Sequence, residues 1–275
     1  MKMKIRVALV LLLAAFVCLA ACPTLADEVY VATGNGSFLL YNTLTGAFTV
    51  LGTSATPLFG MGFNGGVLYA NDSGSAPTTG FYTVNPANGA LTLVADISGS
   101  AINVSNGSGV LTAPVTGGTL YYFDMANNLY TINPSNGVAT AIGPLGFNVG
   151  GGFEIVFGQN GNLYGASHGN LYLVNATTGA GTLIGPTDFG TTQLGLQAVI
   201  AGDGTLYGFH GANMFSIDLS SGALTFIRTT PSGVGNFFDG TPVLTPEPAT
   251  LSLLASAMFV ILSLVAWRKV TSANV

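Results

Sequence analysis

One short segment of this sequence occurs five times at nearly equal spacing. The copies begin at residues 42, 85, 133, 175 and 218, and their starts are separated by 43, 48, 42 and 43 residues. They read NTLTGAFTVLG, NPANGALTLVA, NPSNGVATAIG, NATTGAGTLIG and DLSSGALTFIR. Spacing this regular indicates a body built from repeated supersecondary units.

Each copy contains a turn and parts of several strands. Asn or Asp at the first position can accept hydrogen bonds from the backbone that follows, and the Gly four residues later supplies a positive φ. Two short alternating strands precede the turn, as in TLYGFHGANMFSID (205–218), and an apolar-Thr-apolar strand follows it. A further apolar segment such as GGFEIVFGQNG (151–161) completes a unit of four short strands.

A four-stranded unit that recurs every 40 to 45 residues predicts an all-β fold, a five-bladed β-propeller. The composition agrees, because 39 Gly, 17 Phe and 10 Tyr are typical of strands and turns. We expect the ring to close by packing of the first and last blades rather than by a shared blade; a six-bladed ring and an open solenoid are the alternatives. The predicted units are 28–64, 65–117, 118–160, 161–203 and 204–243.

The cadence of these units, a Leu-Tyr strand followed by the turn and an apolar-Thr-apolar strand, resembles poorly characterised secreted bacterial propellers. The resemblance covers most of residues 28–243. Its motifs consist of turn and core residues, so it implies a fold and transfers no active site.

The first 26 residues have the three parts of a secretory signal peptide. A basic start precedes an apolar stretch from Val7 to about Ala21, and small residues follow it. Signal peptidase cleavage after Ala26 is the favoured prediction. The alternative is a lipobox that ends at Cys22, which would make Cys22 a lipidated N-terminus. Both cysteines lie before residue 26, so cleavage there would leave a body (27–243) without thiols or disulfides.

The C-terminal segment predicts a membrane anchor. Residues 249–267 carry no charge, and as a helix they would span about 28 Å, close to the hydrocarbon thickness of a bilayer. The basic pair Arg268 and Lys269 begins the short tail 268–275 and favours a cytoplasmic end for the span. The linker 244–248 contains Pro246, Glu247 and Pro248. Taken alone, this linker would simply be an extended spacer.

The combination of signal peptide, Pro-Glu-Pro triplet, single span and basic end resembles the PEP-CTERM sorting signal of Gram-negative bacteria. The resemblance covers residues 245–270. It implies that an integral-membrane exosortase recognises Pro246, Glu247 and Pro248, cuts near them, and passes the protein to the cell surface or an exopolysaccharide matrix. The inner membrane would then hold the precursor only transiently, with the body outside the cytoplasm.

The negative charge of the body argues against nucleic-acid binding. Between residues 27 and 244 there are ten acidic side chains and one basic one, Arg228, which gives a net charge of −9. Such a surface repels phosphate backbones.

The body contains few side chains suited to catalysis. It has no lysine or cysteine and no recognisable hydrolase, phosphate-loop or calcium-loop motif. When the copies are superposed, four potential metal ligands fall in the same hairpin loop of successive units and would gather on one face: Asp72, Asp124, His168 and His210. These residues could bind a metal such as calcium, or they could be ordinary solvated loop residues, which is the favoured interpretation.

Other polar and aromatic residues also have two interpretations. The opposite loops, with Asn64, Asn160 and Asp203, could bind calcium or sugar hydroxyls, but turn chemistry explains them. The regularly placed tyrosines could stack on carbohydrate, but a packing layer between blades is simpler; they are Tyr69, Tyr164 and Tyr207. Glu154 lies in an apolar strand and aligns with Gln197 of the next unit, which indicates a polar group at the channel or a blade edge.

These observations together predict an exported, non-enzymatic surface or matrix protein. It would act as a structural or binding component associated with exopolysaccharide, and it would need no cofactor. The alternative is a secreted enzyme, a glycan-directed lyase or hydrolase that uses one face of the propeller.

Overall fold

A computed structural model describes residues 28–72, 78–99, 102, 109–149, 153–188, 196, 198–202, 204–230 and 235–244. The described residues form β-strands and turns, with no helix among them. One compact unit comprises Leu25–Leu244. The strands in chain order are β1 (Glu28–Thr33), β2 (Ser37–Asn42), β3 (Phe48–Thr53), β4 (Leu58–Asn64), β5 (Val67–Asp72), β6 (Gly80–Val84), β7 (Leu91–Asp96), β8 (Val110–Thr112), β9 (Leu120–Phe123), β10 (Asn128–Ile132), β11 (Ala139–Pro144), β12 (Phe153–Phe157), β13 (Leu163–Ser167), β14 (Asn170–Val174), β15 (Gly181–Pro186), β16 (Ala198–Gly202), β17 (Thr205–His210), β18 (Asn213–Ile217), β19 (Leu224–Thr229) and β20 (Phe237–Pro242).

The described strands form five antiparallel sheets of four strands each, as the repeat predicts. In sheet order the blades are β20-β1-β2-β3 (blade I), β4-β5-β6-β7 (blade II), β8-β9-β10-β11 (blade III), β12-β13-β14-β15 (blade IV) and β16-β17-β18-β19 (blade V). The first strands of the blades contact one another in the order β20, β4, β8, β12, β16 and back to β20. This closed cycle of inner strands makes the fold a five-bladed β-propeller.

The prediction that the ring closes by blade packing was wrong. The last described strand, β20, pairs antiparallel with the first, β1, so blade I is built from both ends of the described body. Val31 of β1 pairs with Leu39 on one side and with Gly240 on the other. Closure therefore uses backbone hydrogen bonds as well as side-chain packing.

Closure by β20 shifts the blades by one strand relative to the sequence repeats. The predicted unit 28–64 contains β1, β2, β3 and then β4, which is the inner strand of blade II. Each sequence unit thus ends with the inner strand of the following blade. The body needs its C-terminal strand to complete its N-terminal blade.

The core consists of five clusters, and each lies between two adjacent blades. Between blades V and I, for example, Tyr41 packs edge-on against Phe209, with ring centroids 6.3 Å apart. Every outer strand contains a bulge that turns one aliphatic side chain toward these clusters; these residues are Leu51, Val94, Ile142, Ile184 and Ile227.

The repeated turns adopt the predicted chemistry. In the first copy, Oδ1 of Asn42 accepts a hydrogen bond from the backbone N–H of Thr45 at 2.7 Å, and the N–H of Gly46 donates to the Asn42 carbonyl at 2.8 Å. Gly46 has φ of +76°, which a side chain would strain. The other four copies have the same backbone bond, from the Gly N–H to the carbonyl of the first residue: Asn85, Asn133, Asn175 and Asp218.

The two ends of the ring carry different loops and strand ends. The end that we call the terminal face holds the start of β1, the end of β20 and the five repeated turns. The backbone N–H of Val243 donates to the Glu28 carbonyl there, at 3.0 Å. The opposite end, the loop face, holds the hairpins between the second and third strands of each blade and the connections from blade to blade.

The predicted signal peptide (1–26), Pro-Glu-Pro linker and anchor segment (249–267) lie outside the described residues, as do Cys22, Arg268 and Lys269. Among the residues that are described, no helix has the length and apolar character needed to cross a membrane.

Candidate functional site

The four predicted metal ligands lie on the loop face, each on a different blade. Asp72 and His210 are the last residues of β5 and β17, whereas Asp124 and His168 directly follow β9 and β13. Within the described part of the chain, no group of three or more His, Cys, Asp or Glu side chains is arranged to hold a metal ion. The repeat therefore gives these residues a common face without bringing them together.

Asp72 and Asp124 make equivalent hydrogen bonds in their blades. Asp72 accepts from the N–H of Gly80 at 2.9 Å and from the hydroxyl of Tyr82 at 3.0 Å. Asp124, fully buried, accepts from the Tyr130 hydroxyl at 2.8 Å and from the backbone N–H of Asn128 at 3.0 Å. Each carboxylate therefore stabilises the β-hairpin that connects its strand to the next one.

These hydrogen bonds also raise the pKa values of the two tyrosines. Burial, reinforced by the hydrogen bond to the Asp72 carboxylate, raises the pKa of Tyr82 to about 12. Burial and the Asp124 carboxylate likewise raise the pKa of Tyr130 above its usual range. Both phenols therefore stay protonated as hydrogen-bond donors throughout the physiological range.

The two histidines have different surroundings. His168 has a positive φ of +48° in the tight turn after β13, and its Nδ1 lies 3.2 Å from the Asn148 carbonyl. His210 ends β17 and is exposed. In strand register His210 is equivalent to Asp72 and Asp124, whereas His168 lies one residue beyond the equivalent Ser167.

The regular tyrosines occupy one position in the second strand of each blade. Tyr164 and Tyr207 are buried in clusters between blades, and Tyr69 stacks on Phe81 with ring centroids 5.2 Å apart. The arrangement matches a packing layer, which leaves little aromatic face for a sugar.

The polar residues of the terminal-face hairpins stabilise local structure. Asn64 donates from Nδ2 to the Gly118 carbonyl at 2.7 Å, which links two blades. Asn160 donates to the Tyr164 hydroxyl at 2.8 Å. Asp203 lies outside the described residues.

An open groove lies on the loop face beside blades III and IV. It has a volume of about 550 Å³ including the open space above it, and it is lined by Ala126, Asn127, Pro144, Gly146, Phe147 and Asn148. Asn127 has a positive φ of +67°, held by a 2.7 Å hydrogen bond from the N–H of Val149 to its Oδ1. Phe147 stacks on Tyr172 at 3.9 Å between ring centroids. Amide groups beside an ordered aromatic ring suit a ligand rich in hydroxyl groups.

The inner strands hold a second feature, a pair of buried carboxylates. Glu154 in β12 is 2% exposed and Asp239 in β20 is 3% exposed. Glu154 pairs with Ala166 of β13, and Asp239 pairs with the equivalent Ala32 of β1, so the two acids occupy the same register position in their blades. The sequence pattern indicates Glu154 as an unusual polar residue but gives no such signal for Asp239.

The alignment of Glu154 with Gln197 was wrong. Glu154 pairs with Ala166, and the residue equivalent to Ala166 in blade V is Phe209, which pairs with Ala198. The hairpin after β12 is one residue longer than the hairpin after β16, which displaces the sequence alignment by one position. The equivalent of Glu154 in blade V is thus an alanine.

Each buried carboxylate has one oxygen with a partner and one without. Oε1 of Glu154 accepts from the N–H of Ile155 at 2.8 Å, while Oε2 is buried without a hydrogen-bond partner. Asp239 accepts from the backbone N–H groups of Met61 and Gly240, and its Oδ2 is buried without a partner. Burial raises the pKa of both carboxyl groups, and the charge of Asp239 raises the pKa of Glu154 further.

Arg228 has a structural position at the junction where the ring closes. At three other junctions a glycine of the outer strand lies against the repeated turn of the next blade; these are Gly52, Gly143 and Gly185. The equivalent residue in blade V is Arg228, whose guanidinium contacts Gly46 and donates to the Leu44 carbonyl of blade I. The single basic side chain of the body thus joins its last blade to its first.

Comparisons with known proteins identify the fold and no family. No family model matches the chain, and no curated protein matches it. Similar solved structures include a symmetrical protein described for its de novo evolutionary emergence under folding constraints, with 17% identity and a TM-score of 0.50 over 79% of this chain and 99% of that one. A structural-genomics protein of unknown function from Bacteroides thetaiotaomicron is 14% identical, with a TM-score of 0.50 over 78% of this chain and 64% of that one. At these identities the likeness concerns the fold alone.

Proposed function

We propose that this chain is an exported, non-enzymatic surface or extracellular-matrix protein, sorted through its Pro-Glu-Pro signal by an exosortase. Its propeller acts as a structural or binding component associated with exopolysaccharide. The sequence of residues 245–270 carries the sorting part of the proposal.

The positions of Glu28 and Val243, near the two ends of the described body, support processing at both termini. Glu28 and Val243 are hydrogen-bonded to each other on the terminal face, next to the predicted cleavage segments. Every described strand lies within 28–242, so cleavage outside these limits removes none of the described strands.

The loop-face groove supports the binding part of the proposal. Asn148 carries its amide group beside Phe147, and Nδ2 of Asn127 donates to Oδ1 of Asn148 at 3.5 Å. Polysaccharide hydroxyl groups both donate and accept hydrogen bonds, as amides do. Because none of the described residues that line the groove is charged, a neutral glycan segment fits it better than a charged one.

The enzyme alternative has weaker support from the geometry. Glycoside hydrolysis commonly uses two carboxyl groups that flank the scissile bond. The described carboxylate pair, Glu154 and Asp239, is buried within the ring of inner strands, where a glycan cannot reach it. Asp72 and Asp124 are engaged in fastening hairpins.

Sorting is tested by deleting Pro246–Pro248 in the native host and fractionating the cells. We expect the variant to remain in the inner membrane with its anchor, while the wild type reaches the surface fraction. A matched deletion of Ser272–Asn274, which removes three residues from the cytoplasmic end, should leave delivery intact. Normal delivery of the Pro-Glu-Pro deletion would refute the sorting proposal.

Binding is tested with a glycan array and the purified body, residues 27–244. We expect binding to neutral polysaccharide, weakened at least tenfold by Asn148→Ala. The control is Asn136→Ala, which removes the same side chain from an exposed turn on the terminal face. Equal effects of the two variants would refute the groove as the binding site.

A further inference from the structure

The buried carboxylate pair is built into the centre of the propeller. Glu154 and Asp239 lie on inner strands of blades IV and I, which are not neighbours in the ring. The same register position is apolar or without a side chain in the other three blades, where it is Gly60, Val110 and Ala198. The two acids therefore belong to different blades at the same register position, and the charge of Asp239 acts on Glu154.

Oxygen atoms of this pair lack the partners that buried charges need. Oε2 of Glu154 and Oδ2 of Asp239 are both buried and accept no hydrogen bond. A buried carboxylate without a counter-charge or a full set of hydrogen bonds is strongly destabilising. These two atoms, on side chains more than nine-tenths buried, point to a ligand that supplies positive charge between them.

Among the described residues, none supplies a cation at this point. Arg228 is the body's sole basic side chain, and it contacts Leu44 and Gly46 at the rim of the ring. A cation from solution would instead neutralise both carboxylates and occupy both orphan oxygen atoms.

We propose that Glu154 and Asp239 form a Ca²⁺ site on the axis of the propeller, with the ion coordinated by Oε2 of Glu154 and Oδ2 of Asp239. Both protein ligands are oxygen atoms, and hard cations bind oxygen ligands more readily than softer transition metals do. Calcium suits the site better than magnesium, because it accepts a flexible set of ligands that water molecules and backbone carbonyls can complete. The ion would join two non-adjacent blades and stabilise the closed ring.

The test uses the full chain in detergent, stripped with EDTA and returned to a chelator-free buffer at pH 7.5. Calorimetric titration with CaCl₂ should show one ion bound per chain, and the melting temperature should rise with the Ca²⁺ concentration. Glu154→Gln and Asp239→Asn, which preserve side-chain shape, should each weaken binding at least tenfold. Asp96→Asn removes the same charge from an exposed strand end and should bind Ca²⁺ like the wild type.

Two results would overturn the site. One is the absence of both binding heat and Ca²⁺-dependent stabilisation in the stripped wild type. The other is unchanged binding in both Glu154→Gln and Asp239→Asn, with far-UV circular dichroism showing that they are folded. Infrared spectra of the stripped wild type that show a protonated carboxyl group at pH 7.5, together with no Ca²⁺ response, would assign the neutralising role to a shared proton instead.

Discussion

Replacing Glu154 by Gln should make the metal-free protein more stable at high pH and less sensitive to pH. The folded state raises the pKa of both Glu154 and Asp239, chiefly through burial, so it retains protons that the unfolded chain has released. Stability is then complete below the ordinary carboxyl pKa values, and it falls as the pH rises toward the raised values of the folded state.

The size of this effect follows from proton counting. Each proton held only by the folded state changes the free energy of unfolding by about 1.4 kcal/mol per pH unit, so two protons give a slope of at most about 2.7 kcal/mol per pH unit. Glu154→Gln removes one titrating group and the like charge beside Asp239. Its slope should therefore be at most about 1.4 kcal/mol per pH unit.

Urea denaturation in EDTA at half-unit steps between pH 5 and 8 measures these slopes. The exposed carboxyl groups contribute equally to both proteins, including Asp218, whose pKa hydrogen bonds to Ser220 lower. The difference between wild type and Glu154→Gln thus isolates the pair. Asp96→Asn should follow the wild-type profile. The reasoning fails if Glu154→Gln is less stable than the wild type at pH 8, or if the two profiles are parallel.

Three further predictions concern the fold and its hydrogen bonds. Deleting residues 237–244 should abolish cooperative unfolding, because blade I loses its inner strand, whereas deleting 245–275 should leave the melting temperature unchanged; equal behaviour would contradict closure by a shared blade. Arg228→Ala should cost about 1 kcal/mol in urea denaturation, since one charge-assisted hydrogen bond across the closing junction is lost from a partly exposed site, and an unchanged midpoint would contradict this. In an ultraviolet pH titration, Asp72→Asn should lower the pKa of one phenol, Tyr82, from about 12 toward its ordinary value; an unshifted titration curve would show that the Asp72 carboxylate does not act on Tyr82.

The blade count and the turns could be predicted because they depend on local sequence. Asn42 and Gly46 define a turn by short-range hydrogen bonds and a positive φ, and the same pattern recurs in every unit. Five such patterns at regular spacing give five blades, whatever the details of packing.

The closure of the ring could not be predicted in the same way. Pairing of β20 with β1 joins residues about 210 positions apart, such as Val31 and Gly240, and no local motif records which strand completes blade I. The sequence around Asp239, FFDGTP, also differs from the inner strands of the other blades, so its equivalence with Glu154 emerges only from the strand register.

Whether the candidate metal ligands come together also could not be predicted from the sequence. Asp72, Asp124, His168 and His210 lie at the loop-face ends of the second strands of successive blades, because their position in the unit is local information. Whether side chains from different blades meet depends on blade geometry and on hairpin bonds such as that from Tyr130 to Asp124. The loop-face groove combines Asn127 with Asn148, which belong to different connections and share no motif.

The most direct measurement of the central claim is the intact mass of the protein recovered from the cell surface or matrix of the native host. We predict a chain that begins at Asp27, ends within or close to residues 245–248, and retains the whole body between these points. The same mass analysis of the Pro246–Pro248 deletion, recovered from the inner membrane, should show a chain that continues to Val275. A surface protein that still carries residues 249–275 would contradict sorting by cleavage at the Pro-Glu-Pro signal.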